Sequence, residues 1–187
     1  MDSAAQHSEK VSGHPKGVYY LAFTETWERF SFYGMSALLT LYMVKDLLPK
    51  HAAEVVGLST LRGLIGFNGT MSDVAFASIV YGWYAGLVYF TPLLGGWVAD
   101  RILGAKRTVM IGVLLMSAGH LAMSFYSTFL LALLLLILGS GFLKGNISAQ
   151  VGSLYPRDDD SMRSRGYTIF STGINIGAAG GPLVTGL

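Results

Sequence analysis

Three formal charges, Glu25, Glu28 and Arg29, sit inside an apolar and aromatic run that begins near Val18 and continues through Met35, Leu38, Leu39, Leu41 and Val44. A run of that length is matched to a helix that crosses a bilayer, for which about 20 residues suffice. Ionisable groups in such a helix are expensive unless they pair or line a wet cavity, so they are usually retained for function. On a helix, Glu25, Glu28, Arg29 and Phe32 fall on one face, at i, i+3, i+4 and i+7. Glu25 also precedes Arg29 in the favourable acid-before-base i,i+4 order. The chain is therefore expected to be an all-α membrane protein with charge turned out from one helix stripe near mid-membrane.

The rest of the sequence agrees. Further apolar segments run from about Val74 to Ala99, Thr108 to Phe125, Phe129 to Gly152 and Gly166 to Leu187, which with 18–44 makes five predicted spans. The predicted organisation is a cytoplasmic tail over 1–17 and a partial transmembrane bundle over 18–187. Between the first two spans, Pro49 to Asp73 reads as a polar-to-amphipathic connection with a short surface helix through Ala53 to Leu64. Tyr155 to Arg165 reads as a charged hydrophilic loop. Hydrophobic residues make up 52% of the chain and charged residues 13%, about half the charged share of soluble domains. The 24 glycines suit helices that approach closely. Without cysteine there are no disulfides, zinc–thiolate clusters or thiol catalysis. Met1 to Gly17 is polar and lacks a signal-peptide pattern, so the first apolar segment is expected to stay in the mature chain.

Orientation follows from lysine and arginine. Lys10, Lys16, Arg101, Lys106, Arg107, Arg157, Arg163 and Arg165 fall on one side of the predicted spans, against Lys45, Lys50 and Arg62 on the other. The amino terminus is expected to be cytoplasmic. Because the basic residues are scattered at segment ends, the expected partner surface is the lipid bilayer and not nucleic acid. Asn68-Gly-Thr70 and Asn146-Ile-Ser148 match the glycosylation pattern, but the second falls inside a span.

Lys144 is the second intramembrane charge of consequence. It follows Gly139-Ser-Gly-Phe-Leu and precedes Gly145-Asn-Ile-Ser, well inside the fourth segment. Its stem reaches only a few ångströms against roughly 15 Å of half-bilayer, so snorkelling is disfavoured. Glu25 or Glu28 is the available partner. A simple staple between the first and fourth helices would need neither a spare carboxylate nor a spare arginine.

The segment Gly95-Gly-Trp-Val-Ala-Asp-Arg-Ile-Leu-Gly-Ala-Lys-Arg resembles the loop between helices two and three of major facilitator superfamily transporters, with one extra residue between Arg101 and Gly104. Taken with Glu25-Thr-Trp-Glu-Arg-Phe-Ser-Phe-Tyr-Gly, Lys144-Gly-Asn-Ile-Ser and Ile174-Asn-Ile-Gly-Ala, it makes the chain resemble the proton-dependent oligopeptide transporter family of that superfamily, over essentially its whole length. Phe32 departs from the tyrosine common in relatives, Gly145 from a common proline, and Ser171-Thr172 from a frequent Tyr-Met pair. Gly82 lies about where mammalian relatives carry a functional histidine, so no histidine is assigned to proton handling.

The resemblance implies the first five helices of an amino-terminal bundle, with a carboxyl-terminal helical bundle missing and transport by these residues alone not expected. It implies proton-coupled symport of di- and tripeptides, with protons as the coupling ion and no other cofactor or metal. Arginine's fork suits a carboxylate, and Arg29 and Lys144 are expected to meet the peptide's terminal carboxylate. Asn175 offers donor and acceptor to the peptide backbone, while Tyr33 and Tyr84 offer apolar faces with polar tips. The resemblance places family binding residues at these same five positions. Glu25 and Glu28 are the proton-coupling candidates, since a carboxylate gains a proton when its cations turn to a substrate. Asp100 and Arg101 are carried over as a gating loop. Two alternatives stay open: a carrier of nitrate or another small acid, and a non-transporting membrane interaction fragment. No nucleophile–base pair, metal cluster or phosphate loop suggests an enzyme.

Overall fold

The computed structural model describes residues 10–66 and 71–186. His7 and the Asn68-Gly-Thr70 pattern lie outside the described residues. A two-stranded antiparallel hairpin, β1 (Lys10–Val11) with β2 (His14–Pro15), leads directly into α1 (Lys16–Tyr42). The helix does not stop at Val44. It continues as a π-helical turn, Met43–Leu47, into α2 (Leu48–His51). Asp46 and Lys50 form an i,i+4 ion pair at 2.8 Å across this extension, and Pro49 is tolerated because it falls in the first turn of α2.

α3 spans Leu58–Ile65 and begins later than the predicted Ala53, because Gly57 at φ 81° breaks the chain direction immediately before it. α4 (Asp73–Val98) is capped by the Ser72 hydroxyl, which accepts from the Ala75 N–H at 3.2 Å. It carries Pro92 internally and ends in a π-helical turn, Ala99–Leu103, terminated by Gly104 at φ 78°. α5 (Ala105–Ala122) and α6 (Phe129–Ser153) follow. α7 runs Asp160–Gly186, starting well before the predicted Gly166. The Asp159 side chain accepts from the Met162 N–H at 2.9 Å, so the charged stretch read as loop supplies a cap and a first turn whose acids suit the helix dipole.

Among the described residues, five helices are long: α1, α4, α5, α6 and α7. Of the described residues, Asp73–Leu103 and Tyr126–Ser153 are apolar enough to cross a bilayer by length and composition alone. The physical reason the others fall short is visible in two of them: α1 carries Glu25, Glu28 and Arg29, and α7, charged only in its first turns, is diluted by glycines and by Ser171, Thr172 and Asn175.

The chain forms two compact units, Met1–Met35 with Lys144–Leu187, and Ser36–Leu143. In the first, His14 Nδ1 lies 2.9 Å from the Tyr155 hydroxyl, with the two rings edge to face. In the second, α4 and α6 cross closely. The Thr91 hydroxyl donates to the Ile137 carbonyl at 3.1 Å, and a Cβ on Gly95 would fall on the backbone of Gly141. At another point of this unit His51 stacks on Tyr126 at 3.8 Å, and Tyr126 donates to Asp46 at 3.3 Å, tying the α2 region to the α5–α6 turn.

Candidate functional site

The candidate site lies in the first unit, and glycine positions it. Gly173, Gly177 and Gly181, four residues apart on α7, are buried and share one stripe. A Cβ on Gly177 would fall on the Thr26 carbonyl oxygen, and one on Gly181 on the Phe30 carbonyl oxygen. The two helix backbones therefore touch. Thr185 adds a tie across the same contact, its hydroxyl donating to the Gly34 carbonyl at 3.3 Å. This contact fixes α1 in rotation.

With α1 so held, its charged stripe is buried: Glu25 and Glu28 are each 4% exposed and Arg29 8%. Arg29 Nε lies 2.9 Å from Glu25 Oε1 and 2.6 Å from Glu28 Oε2, bridging both acids. Glu25 keeps its second oxygen, Oε2, buried and without a hydrogen-bond partner among the described residues. A buried acceptor in that condition is costly and is relieved by a donor or by a proton on the carboxyl itself.

Lys144 comes to the same place from α6. Its Nζ is shielded from solvent, stands 4.7 Å from the centroid of the Phe32 ring and is within electrostatic reach of Glu28. Phe32 is 6% exposed and meets the half-buried Tyr33 edge to face at 5.2 Å. The structure thus brings Glu25, Glu28, Arg29 and Lys144 together with Phe32 and Tyr33. It leaves Asn175 outside that cluster, because Asn175 is two residues from both Gly173 and Gly177 and so projects away from the face that meets α1.

Tyr84, Asp100 and Arg101 belong to the second unit. Tyr84 is buried and lines an apolar groove of about 240 Å³ with Leu61, Val80, Trp83, Leu133 and Ile137. Asp100 and Arg101 are both exposed in the π-helical turn after α4. Two features escaped the sequence reading. The ring beneath Lys144 was signalled only by the i+7 place of Phe32 on the charged stripe. The α4–α6 crossing was signalled by Gly139-Ser-Gly, noted there only as the approach to Lys144.

A sequence profile described as Major Facilitator Superfamily matches residues 21–187. A di-/tripeptide transporter of Lactococcus lactis subsp. lactis (strain IL1403) is 43% identical over 177 residues, covering 93% of this chain and 32% of that protein. An uncharacterised transporter of Bacillus subtilis (strain 168) is 40% identical over 178 residues, with the same two shares. Among solved structures, a peptide transporter POT in complex with alafosfalin matches at TM-score 0.79 and 38% identity, over 98% of this chain and 34% of that one. A POT family transporter in complex with 5-aminolevulinic acid matches at TM-score 0.74 and 32% identity, over 95% and 33%. The chain spans about a third of the length of the curated relatives it matches. The resemblance to proton-dependent oligopeptide transporters holds over that amino-terminal third.

Proposed function

From the fact that this chain belongs to the Major Facilitator Superfamily, we propose that it forms the amino-terminal part of a proton-coupled symporter for di- and tripeptides. In that carrier it works by alternating access with a carboxyl-terminal bundle outside these residues. The observation that carries the coupling is the buried Glu25 carboxylate, with one oxygen on Arg29 and the other without a donor among the described residues. It is a place for a proton whose occupancy depends on where Arg29 points. When a substrate carboxylate engages Arg29 and Lys144, the acids lose their compensating cations in a desolvated site, and protonation becomes favourable. Glu28, on the same guanidinium, shares that role. Tyr33 supplies an amphipathic face beside the cluster, and the resemblance adds Tyr84 and Asn175 as contacts that do not depend on one particular side chain. Asp100 and Arg101 are the proposed gating turn.

The carrier is an integral membrane protein, and we place it in a bacterial inner membrane with its amino terminus in the cytoplasm. The bacterial sources of its relatives and the lysine and arginine asymmetry support this placement. Single cysteines at Ala53 and Ser161, both exposed, should label from opposite sides in intact cells. Equal labelling of both by an impermeant reagent would rule the orientation out.

Substrate class is tested by competition on the full-length carrier. Amidating a dipeptide's carboxyl end removes the charge that Arg29 and Lys144 answer to, and should weaken binding by more than about 1 kcal/mol. Exchanging an alanine side chain for leucine should matter less. If nitrate competes and dipeptides do not, the peptide reading fails and a small-acid carrier takes its place.

A further inference from the structure

We propose that the turn joining α4 to α5 is a binding surface for the headgroup of an anionic phospholipid, with Arg101, Lys106 and Arg107 meeting its phosphodiester. Between Ala99 and Arg107 these three cations stand against one acid, Asp100. All four are exposed, and the three cations have no ion pair or side-chain hydrogen bond among the described residues. The turn closes without them. The Gly104 N–H donates to the Ala99 carbonyl at 2.9 Å, and the Thr108 hydroxyl donates to the Gly104 carbonyl at 3.0 Å. Local helix chemistry does not account for the bases either. Lys106 and Arg107 lie in the first turn of α5, which carries no acid, and the helix dipole there favours acids over cations.

The surroundings of the turn select a lipid as the source of that phosphate. Trp97 and Arg101 are four residues apart at the end of α4, and Lys106 and Met110 four apart on α5, so each pair shares a side of its helix. Trp97 is 58% exposed, Ile102 62% and Met110 58%. Apolar exposure continues away from the turn through Leu93 and Leu94 on α4 and Leu114 on α5. The stretch Asp73–Leu103, which ends in this turn, is apolar enough to cross a bilayer. Bare apolar faces that end at a tryptophan and a set of cations mark the boundary between hydrocarbon and headgroups. An anion free in water would meet the cations and gain nothing from those faces, whereas a phospholipid meets both. Cations at that depth are attracted to an anionic leaflet over about a Debye length.

The test uses the full-length carrier, free of other cysteines, with a fluorophore on Ile102→Cys in phosphatidylcholine vesicles. Brominated phosphatidylglycerol or brominated phosphatidylcholine is included at equal, low mole fraction, and quenching is compared. Phosphatidylglycerol should quench roughly five-fold better. Lys106→Gln with Arg107→Gln should bring the two lipids within about two-fold of each other, and either single glutamine variant serves if the pair does not fold. Lys106→Arg with Arg107→Lys, which keeps both charges, should keep the preference. Lys10→Gln with Arg157→Gln removes two exposed cations elsewhere and should leave it unchanged. Arg101 stays intact throughout, because it belongs to the proposed gating turn. Equal quenching by the two lipids in the wild-type carrier overturns the proposal, as does a preference that survives the paired glutamines. A loss just as large in the Lys10 and Arg157 variant also overturns it, since the preference would then follow net charge. No quenching by either lipid overturns it too, by showing the turn covered by the rest of the carrier. If sodium phosphate abolishes the preference where sodium chloride of equal ionic strength does not, the surface takes free phosphate and the lipid assignment fails.

Discussion

Glu25→Gln in the full-length carrier should abolish proton-driven dipeptide uptake while leaving counterflow exchange of dipeptide in place. Glutamine keeps the shape and an oxygen for the Arg29 contact at 2.9 Å, but it cannot take up or release the coupling proton. Exchange returns the carrier loaded in both directions and does not require that cycle. Glu28→Gln should also stop proton-driven uptake, since Glu28 shares the same guanidinium. Arg29→Ala should be more severe and impair both modes. It would leave two acids, each 4% exposed, without the cation between them, and breaking a buried charge pair costs about 3–5 kcal/mol. Lys144→Ala should likewise impair both modes, through loss of the substrate contact. Uptake and counterflow measured side by side in proteoliposomes separate these outcomes. Wild-type proton-driven uptake by both glutamine variants would end the assignment.

The second large effect concerns folding. Gly177→Ala puts a methyl group on the Thr26 backbone carbonyl, and Gly141→Ala puts one against Thr91 at 2.5 Å from its Cβ and Oγ1. Neither neighbour is the end of a flexible side chain, so helix must move from helix. Overpacking of this kind costs about 1–3 kcal/mol, and in a chain of this size lowers the melting temperature by roughly 2–12 °C. Gly82→Ala and Gly86→Ala are the matched controls, because a Cβ at either meets nothing within 4 Å. Thermal unfolding of the four variants in detergent gives the answer. If Gly177→Ala and Gly82→Ala melt together, the backbone contact between α1 and α7 is not tight.

What could be read from the sequence depended on the range of the interaction. The charged stripe of α1 was legible because helical spacing alone places Glu25, Glu28, Arg29 and Phe32 on one side. That Arg29 also reaches Glu28, its immediate neighbour, was not. Adjacent residues do not face each other on a helix, and only the long guanidinium arm, turned back in a buried space, closes that 2.6 Å contact. Helix ends were misread where charge was taken for loop. Asp46 and Lys50 extend α1, and Asp159 caps α7, all as local helix chemistry that hydropathy hides. Asn175 was placed in the site by resemblance to a motif, and its direction depends on which face of α7 the glycines commit to α1. That choice is tertiary, and no spacing along one helix contains it.

The membership of the buried cluster has a consequence in electroneutrality. Glu25 and Glu28 contribute two negative charges, and Arg29 and Lys144 two positive ones, so the group sums to zero when each holds its ordinary charge. In a low-dielectric interior an unbalanced set is strongly penalised. For a carrier of the proposed kind, each carboxylate admitted to the cations leaves the set one charge negative, and one proton on either acid restores zero. The ion that drives transport would then be counted by the charge of the cargo group that enters, and a cargo presenting two carboxylates to the same cations would call for a second proton.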